Sequence, residues 1–150
     1  MSSYIEFYVE KDNVFIHIGS YSRSNPMYQA ICNHVPYGNG VKLDKEIAEA
    51  AIEEFEGEIK AYKSYIEQYK AENELISNMK EISLNEKLEK IRENNISIKD
   101  CEGDLKLWEN QYTAFRYIFN NIFDWCENNV WIGVEWDPNY KEEEEEEDRY

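Results

Sequence analysis

Residues 43–79 read LDKEIAEAAIEEFEGEIKAYKSYIEQYKAENELISNM, and their periodicity decides the fold. Ala48, Ile52, Phe55, Ile59, Tyr62, Ile66, Tyr69, Asn73 and Ile76 follow one another at alternating steps of four and three residues, the heptad spacing of a coiled-coil seam. No proline interrupts the run, and Asp44 is a suitable N-cap for a helix from Lys45 onward. At 1.5 Å per residue such a helix exceeds roughly 50 Å. A stripe of that length needs a partner to cover it.

The partner follows in sequence. Ser83-Leu84-Asn85-Glu86 is the Ser-x-x-Glu signature of a new helix start, so a short link joins two antiparallel helices into a hairpin over residues 43–128. Leu84, Leu88, Ile91, Asn95 and Ile98 keep heptad spacing, as do Leu105, Trp108, Tyr112, Phe115, Phe119, Ile122 and Cys126. The two runs are out of phase, which predicts a kink or break near residues 94–104, where Gly103 and Asn94-Asn95 also lower helix propensity. In the antiparallel register this implies, Asn73 faces Ile91 and the Tyr69 hydroxyl lies within reach of Asn95. Asn73 and Asn95 read as polar seam positions that fix register. Tyr117, Ile118, Phe119, Phe123 and Trp125 then widen the apolar stripe, which calls for a second neighbour.

A sheet supplies it. Ile5, Phe7 and Val9 alternate with Tyr4, Glu6, Tyr8 and Glu10; Val14, Ile16 and Ile18 alternate with Phe15, His17 and Gly19. With Lys11-Asp12-Asn13 between them, residues 4–20 read as a β-hairpin. Ser24-Asn25-Pro26 starts a short helix carrying Met27, Ala30 and Ile31 and ending near Asn33, and residues 35–40 form a turn-rich connector. Residues 130–136 give one more strand, with Val130, Ile132 and Val134 inward. The expected fold is α+β: a three-stranded antiparallel sheet, with Ile5, Phe7, Val9, Val14, Ile16, Ile18, Val130, Ile132 and Val134 on its inner face, packed on the base of a projecting helical hairpin. Residues 1–140 form this single domain, and 141–150 form an acidic tail too polar to fold alone.

Charge bounds the function. The chain has 32 Asp and Glu against 16 Lys and Arg, a net charge of −16, of which the tail carries −5 and residues 1–140 the remaining −11. A field of that sign repels nucleic acid and anionic headgroups and attracts basic protein surfaces. No apolar run approaches the roughly 20 residues that span a bilayer. Met1 to Tyr4 has neither the basic start nor the apolar core of a signal peptide, so a cytoplasmic location is expected. Cys32, Cys101 and Cys126, an odd number without framework spacing, suit reduced thiols in that compartment.

Two surfaces stand out. Between Asp44 and Glu58 there are seven acids and one base, Lys45; Glu46, Glu49, Glu53 and Glu56 recur at three and four residues, with Glu54 and Glu58 beside them. Like charges at these spacings cost a helix about 0.2–0.5 kcal/mol per pair, and neighbouring members stand about 5–6 Å apart, comparable to phosphates along a nucleic-acid strand. The row is read either as plain solvation by a good helix former or as a partner-binding face; over residues 83–128 the imbalance is milder, nine acids to six bases. The second surface is Tyr4, Tyr8, Phe15 and Trp131, with His17, on the outer sheet face. It is an interface if exposed and a minor core if residues 21–41 fold over it.

Catalytic motifs are weak. Cys32 and His34 lack a third group to orient a base and further ligands for a metal, and the carboxylates form no acid/base pair or magnesium motif, so no enzyme activity, metal or cofactor is expected. The leading expectation is a non-enzymatic inhibitor whose Glu46, Glu49, Glu53, Glu54, Glu56 and Glu58 mimic phosphates and block a basic nucleic-acid-binding protein, without binding nucleic acid or membrane itself. In physical type it resembles the small acidic proteins that phages and mobile elements direct against host defence nucleases. The alternative is a coiled-coil adaptor that self-associates, as a homodimer for example, through the hairpin tip or the aromatic face. A small-molecule enzyme ranks third and would need a deep polar pocket around Cys32, His34 and His17.

Overall fold

A computed structural model describes residues 3–122 and 129–140. Readings made for Phe123, Trp125, Cys126 and the acidic tail lie outside the described residues. The fold is α+β: an antiparallel sheet and two long helices. The chain divides into two compact units, one from residues 1–51 and 115–150, the other from 52–114.

In the first unit, β1 (Tyr4–Lys11) and β2 (Val14–Ser22) form the expected hairpin. Asp12 and Asn13 make its two-residue turn with φ of 52° and 66°, the paired left-handed conformation that matches strand twist and that Asp and Asn tolerate best after glycine. A bulge interrupts the ladder: Phe7 pairs with Gly19 but Tyr8 with His17, leaving Ile18 as the extra residue. Beyond it Tyr21, not Ile18, shares the face of Ile5 and Phe7, and its ring meets Phe7 edge-on at 5.7 Å.

The sheet has four strands rather than three, in the order β2-β1-β4-β3. The additional strand is β3 (Gly40–Lys42), three residues that start at the last position of the segment read as a connector, and it pairs with β4 (Val130–Val134). This order leaves β2 at an edge. Val14 and Ile16 are therefore more than half exposed, a correction to the expected inner face, whereas Ile5, Phe7, Val9, Val130, Ile132 and Val134 are buried.

Helix α1 (Pro26–Ile31) packs against β1 and β2. Its start follows the sequence signal, with the Asn25 side chain accepting the Met27 N–H at 2.8 Å and Pro26 in the first turn. Cys32–His34 continue as one 3₁₀ turn. The core of this unit joins Met27, Ala30, Ile31, Leu43, Ala48, Ala51, Phe115 and Ile118 to the buried strand residues, and the Leu43 N–H donates to Val130 O at 2.7 Å.

The second unit is the body of two helices, α2 (Lys45–Asn78) and α3 (Leu84–Tyr117). Asp44 caps the first through a 2.8 Å bond from the Ile47 N–H, and Ser83 caps the second through a 3.2 Å bond from the Glu86 N–H. Helix α3 is continuous, contrary to the expected kink or break near 94–104. The reason is a different seam. Leu84 and Leu88 stay exposed, while Ile91, Asn94, Ile98, Cys101, Leu105, Trp108 and Tyr112 turn inward to varying depth. Substituting Asn94 for Asn95 removes the phase slip, because 91, 94, 98, 101, 105, 108 and 112 keep unbroken steps of three and four.

The register moves by about one turn with it. Asn73 faces Asn94 and Asn95 rather than Ile91. Its amide donates to Asn95 Oδ1 at 3.0 Å and its own Oδ1 accepts from Asn94 Nδ2 at 2.9 Å, so the partner foreseen for Tyr69 belongs to Asn73. Phe55 anchors the other end of this unit, stacked on Tyr112 at 5.4 Å and edge-on to Trp108 at 5.7 Å. After α3, Ile118–Ile122 form a π-helical turn.

Candidate functional site

Helix α2 carries the six glutamates predicted to bind a partner. Glu46 and Glu49 belong to the first unit, Glu53, Glu54, Glu56 and Glu58 to the second, and all six are exposed. At about 100° per residue they form two rows. Glu46, Glu49, Glu53 and Glu56 run along one side, and Glu54 with Glu58 lie one turn apart on the opposite flank.

Their neutralisation is slight. Lys45 reaches Glu49 at 3.8 Å, but both side chains are more than half exposed, where such a pair contributes about 0–1 kcal/mol. Glu56 accepts the Tyr112 hydroxyl at 2.9 Å, which turns it toward the groove beside α3 that also holds Lys60, Lys63 and Glu109. Glu56 is thus the least free of its row. Among the described residues no lysine or arginine pairs with Glu46, Glu53 or Glu58.

The outer sheet face is built by the register. Tyr8 stands opposite both His17 and Trp131, Glu10 opposite Phe15, Glu6 opposite Ser20 and Gly133, and Trp131 opposite Lys42. Its cover is Trp136, not residues 21–41. Glu135, at φ 52°, turns the chain back after β4, and Trp136 lies within 5.5 Å of Tyr8 and 6.1 Å of both Phe15 and Trp131, ring centre to ring centre. Of the four aromatics proposed as an interface, Tyr8 is only 5% exposed, Phe15 and Trp131 are half-buried, and Tyr4 is 41% exposed.

Polar atoms on this face are tied down. Trp131 Nε1–H donates to Glu10 Oε1 at 3.0 Å, His17 Nε2 lies 2.7 Å from Glu6 Oε1, and Ser20 Oγ donates to Glu6 Oε2 at 3.1 Å. Burial first, then the charges of Asp137 and Glu6 and a hydrogen bond to Asp137, push the Tyr8 hydroxyl up to about 12. Beside these groups opens a pocket of about 730 Å³ lined by Glu6, Tyr8, His17, Ser20, Gly38, Glu135, Trp136, Asp137 and Tyr140. It takes in His17 but neither Cys32 nor His34.

Sequence reasoning missed Trp136, the two carboxylates beside it and the role of Gly133. A glycine inside a strand pattern is a signal for close backbone or side-chain approach, and Gly133 stood in one. Cys32 and His34 occupy the 3₁₀ turn after α1. Among the described residues no three His, Cys, Asp or Glu side chains converge as metal ligands, and no helix is long and apolar enough to cross a membrane.

The fold and this surface define a class: an acidic α+β protein with an unbroken carboxylate-bearing helix and an aromatic-lined pocket. No protein-family model, curated protein or solved structure matches the chain.

Proposed function

We propose that the protein is a non-enzymatic binding protein whose α2 carboxylates engage the basic surface of a nucleic-acid-binding protein and compete there with phosphates. The observation that carries this reading is the state of the row: Glu46, Glu49 and Glu53 project from one continuous helix into solvent, with a single weak ion pair among them. Uncompensated charge on a regular scaffold steers a cationic partner and is realised as binding energy when the partner's counterions are displaced. In such a role the protein acts in the cytoplasm and touches neither nucleic acid nor membrane. An inhibitor of a host defence nuclease, of the kind phages produce, is the most specific form of the proposal.

The test is capture of partners from a lysate at graded salt by wild type and by a Glu46/Glu49/Glu53/Glu56→Lys variant. Partners held by wild type at moderate salt and lost by the variant support mimicry. An identical set on both proteins overturns it.

A second reading has one observation of its own. Leu75, Leu84 and Leu88, near the link between α2 and α3, are 69%, 69% and 57% exposed. Apolar side chains grouped near a helix–helix link favour self-association, as in a structural adaptor. Solution mass separates the readings: an obligate oligomer that dissociates on Leu84→Glu/Leu88→Glu favours the adaptor, and a stable monomer favours the inhibitor.

A further inference from the structure

The geometry points to a second binding site, in the pocket beside the outer sheet face, for an organic cation with a guanidinium or alkylammonium head. This proposal stands independently of the α2 glutamates. Its volume of about 730 Å³ suits a small molecule or one long side chain rather than a bare ion. Three carboxylates, Glu6, Glu135 and Asp137, share the lining with the rings of Tyr8, Trp136 and Tyr140.

Three features select the ligand's chemistry. The first is charge: the sole ion-pair partner of these carboxylates among the described residues is His17, on Glu6, so the pocket is net negative and rejects anions. The second is dispersion of that charge. Among the described residues no three ligating side chains converge as a shell for a divalent metal, whereas a delocalised cation is matched by carboxylates that do not meet at one point. The third is the aromatic wall. Rings attract a weakly hydrated cation through their negative faces, and on the same outer sheet face, outside the pocket lining, Lys42 Nζ lies 5.6 Å from the centre of the Trp131 ring.

Two of the three carboxylates are also held in place before any ligand arrives. Glu6 is fixed by His17 and Ser20, and Asp137 accepts the Asn139 N–H at 2.8 Å while Asn139 Nδ2 donates to Phe15 O at 3.0 Å. That chain of bonds anchors the return segment carrying Trp136 and Asp137 to β2. Less ordering is then needed on binding.

The experiment is a titration of the full chain followed by ¹H–¹⁵N spectra, with the indole signals of Trp131 and Trp136 as reporters. The probes are butylguanidinium, butyltrimethylammonium and, as the uncharged isostere, butylurea. The cations are expected to saturate these signals at millimolar concentration or below, with butylurea at least about tenfold weaker. A Glu135→Gln/Asp137→Asn variant, which keeps the Asn139 acceptor, is expected to weaken the cations at least about fivefold with its spectrum otherwise intact. Glu46→Lys/Glu49→Lys/Glu53→Lys is expected to leave them unchanged.

N-acetyl-arginine amide then separates sources. Binding as tight as butylguanidinium assigns the site to a protein side chain, and exclusion of the amide assigns it to a free small cation; either result supports the site. Equal binding of butylurea, no saturation, or full affinity in the Glu135→Gln/Asp137→Asn variant overturns it.

Discussion

Gly40 and Gly133 are register partners across β3 and β4, and together they form the slot in which the Trp136 indole rests. A Cβ on Gly40 would lie 2.2 Å from Trp136 Cη2, and one on Gly133 would lie 2.9 Å from Trp136 Cβ and 2.9 Å from Asn39 O. Real contacts never come this close. Gly40→Ala is therefore expected to displace Trp136 and to lower stability by about 1–3 kcal/mol, the usual cost of overpacking. For a chain of this size that is roughly a 2–4 °C fall in Tm per kcal/mol. Thermal unfolding of Gly40→Ala, Trp136→Phe and the pair checks it, and the two changes are expected to be less than additive because they disturb one contact.

The asparagine cluster makes a different prediction. Asn73 both donates to Asn95 and accepts from Asn94. Truncation by Asn73→Ala removes both bonds and is expected to cost about 1–2 kcal/mol, read from urea unfolding. Asn73→Leu with Asn94→Leu is expected to match or exceed wild-type stability, since paired apolar replacement leaves neither amide stranded at the seam. The expected loss is in register and assembly, visible as mixed species in sedimentation.

Tyr8 gives the alkaline limb of stability. Its hydroxyl stays protonated to about 12 in the folded chain, against 10.0 for an ordinary tyrosine. Above pH 10 the unfolded chain holds fewer protons than the folded one, so stability falls as pH rises toward 12, by up to about 1.4 kcal/mol per pH unit from this group. Below pH 10 the contribution is fully present. Urea unfolding at pH 9 and pH 11 is expected to show a smaller pH-dependent loss in Tyr8→Phe than in wild type.

The two helices, the first hairpin, the caps at Asn25, Asp44 and Ser83, and the buried faces of β1 and β4 were legible in the sequence, because each rests on local periodicity or on a side chain bonding its own backbone. What escaped depends on distant partners. β3 is three residues long and exists only because β4 offers it an edge. The bulge at Ile18 is a property of the β1–β2 ladder, and nothing in either strand alone requires it. The continuous seam of α3 was hidden for two reasons: exposed Leu88 is more apolar than its half-buried neighbour Lys87, and Asn94 and Asn95 are the same residue, so hydrophobicity misleads at the first place and cannot choose at the second. Of the pocket, Glu6, Tyr8 and His17 were legible as members of one face, but Glu135 and Asp137 reach it through the reversed turn after β4.

The glutamate row predicts a separation of stability from binding. Glu49 and Glu53 stand one turn apart on one side of α2, and Glu54 and Glu58 on the other. Glu53→Gln is expected to raise stability by about 0.2–0.5 kcal/mol at low salt, an effect that fades as ionic strength screens the repulsion. Partner capture is expected to weaken in the same variant. A change that stabilises the fold and weakens its interaction marks a residue kept for binding.

The most direct measurement takes a partner captured by the wild-type protein and follows its complex with a fluorescent oligonucleotide by anisotropy. Addition of the wild-type protein is expected to release the oligonucleotide, with an apparent affinity that falls as salt rises, and the Glu46/Glu49/Glu53/Glu56→Lys variant is expected to release none. Anisotropy that stays high or rises with saturating wild-type protein, as in a ternary complex, would contradict phosphate mimicry by α2.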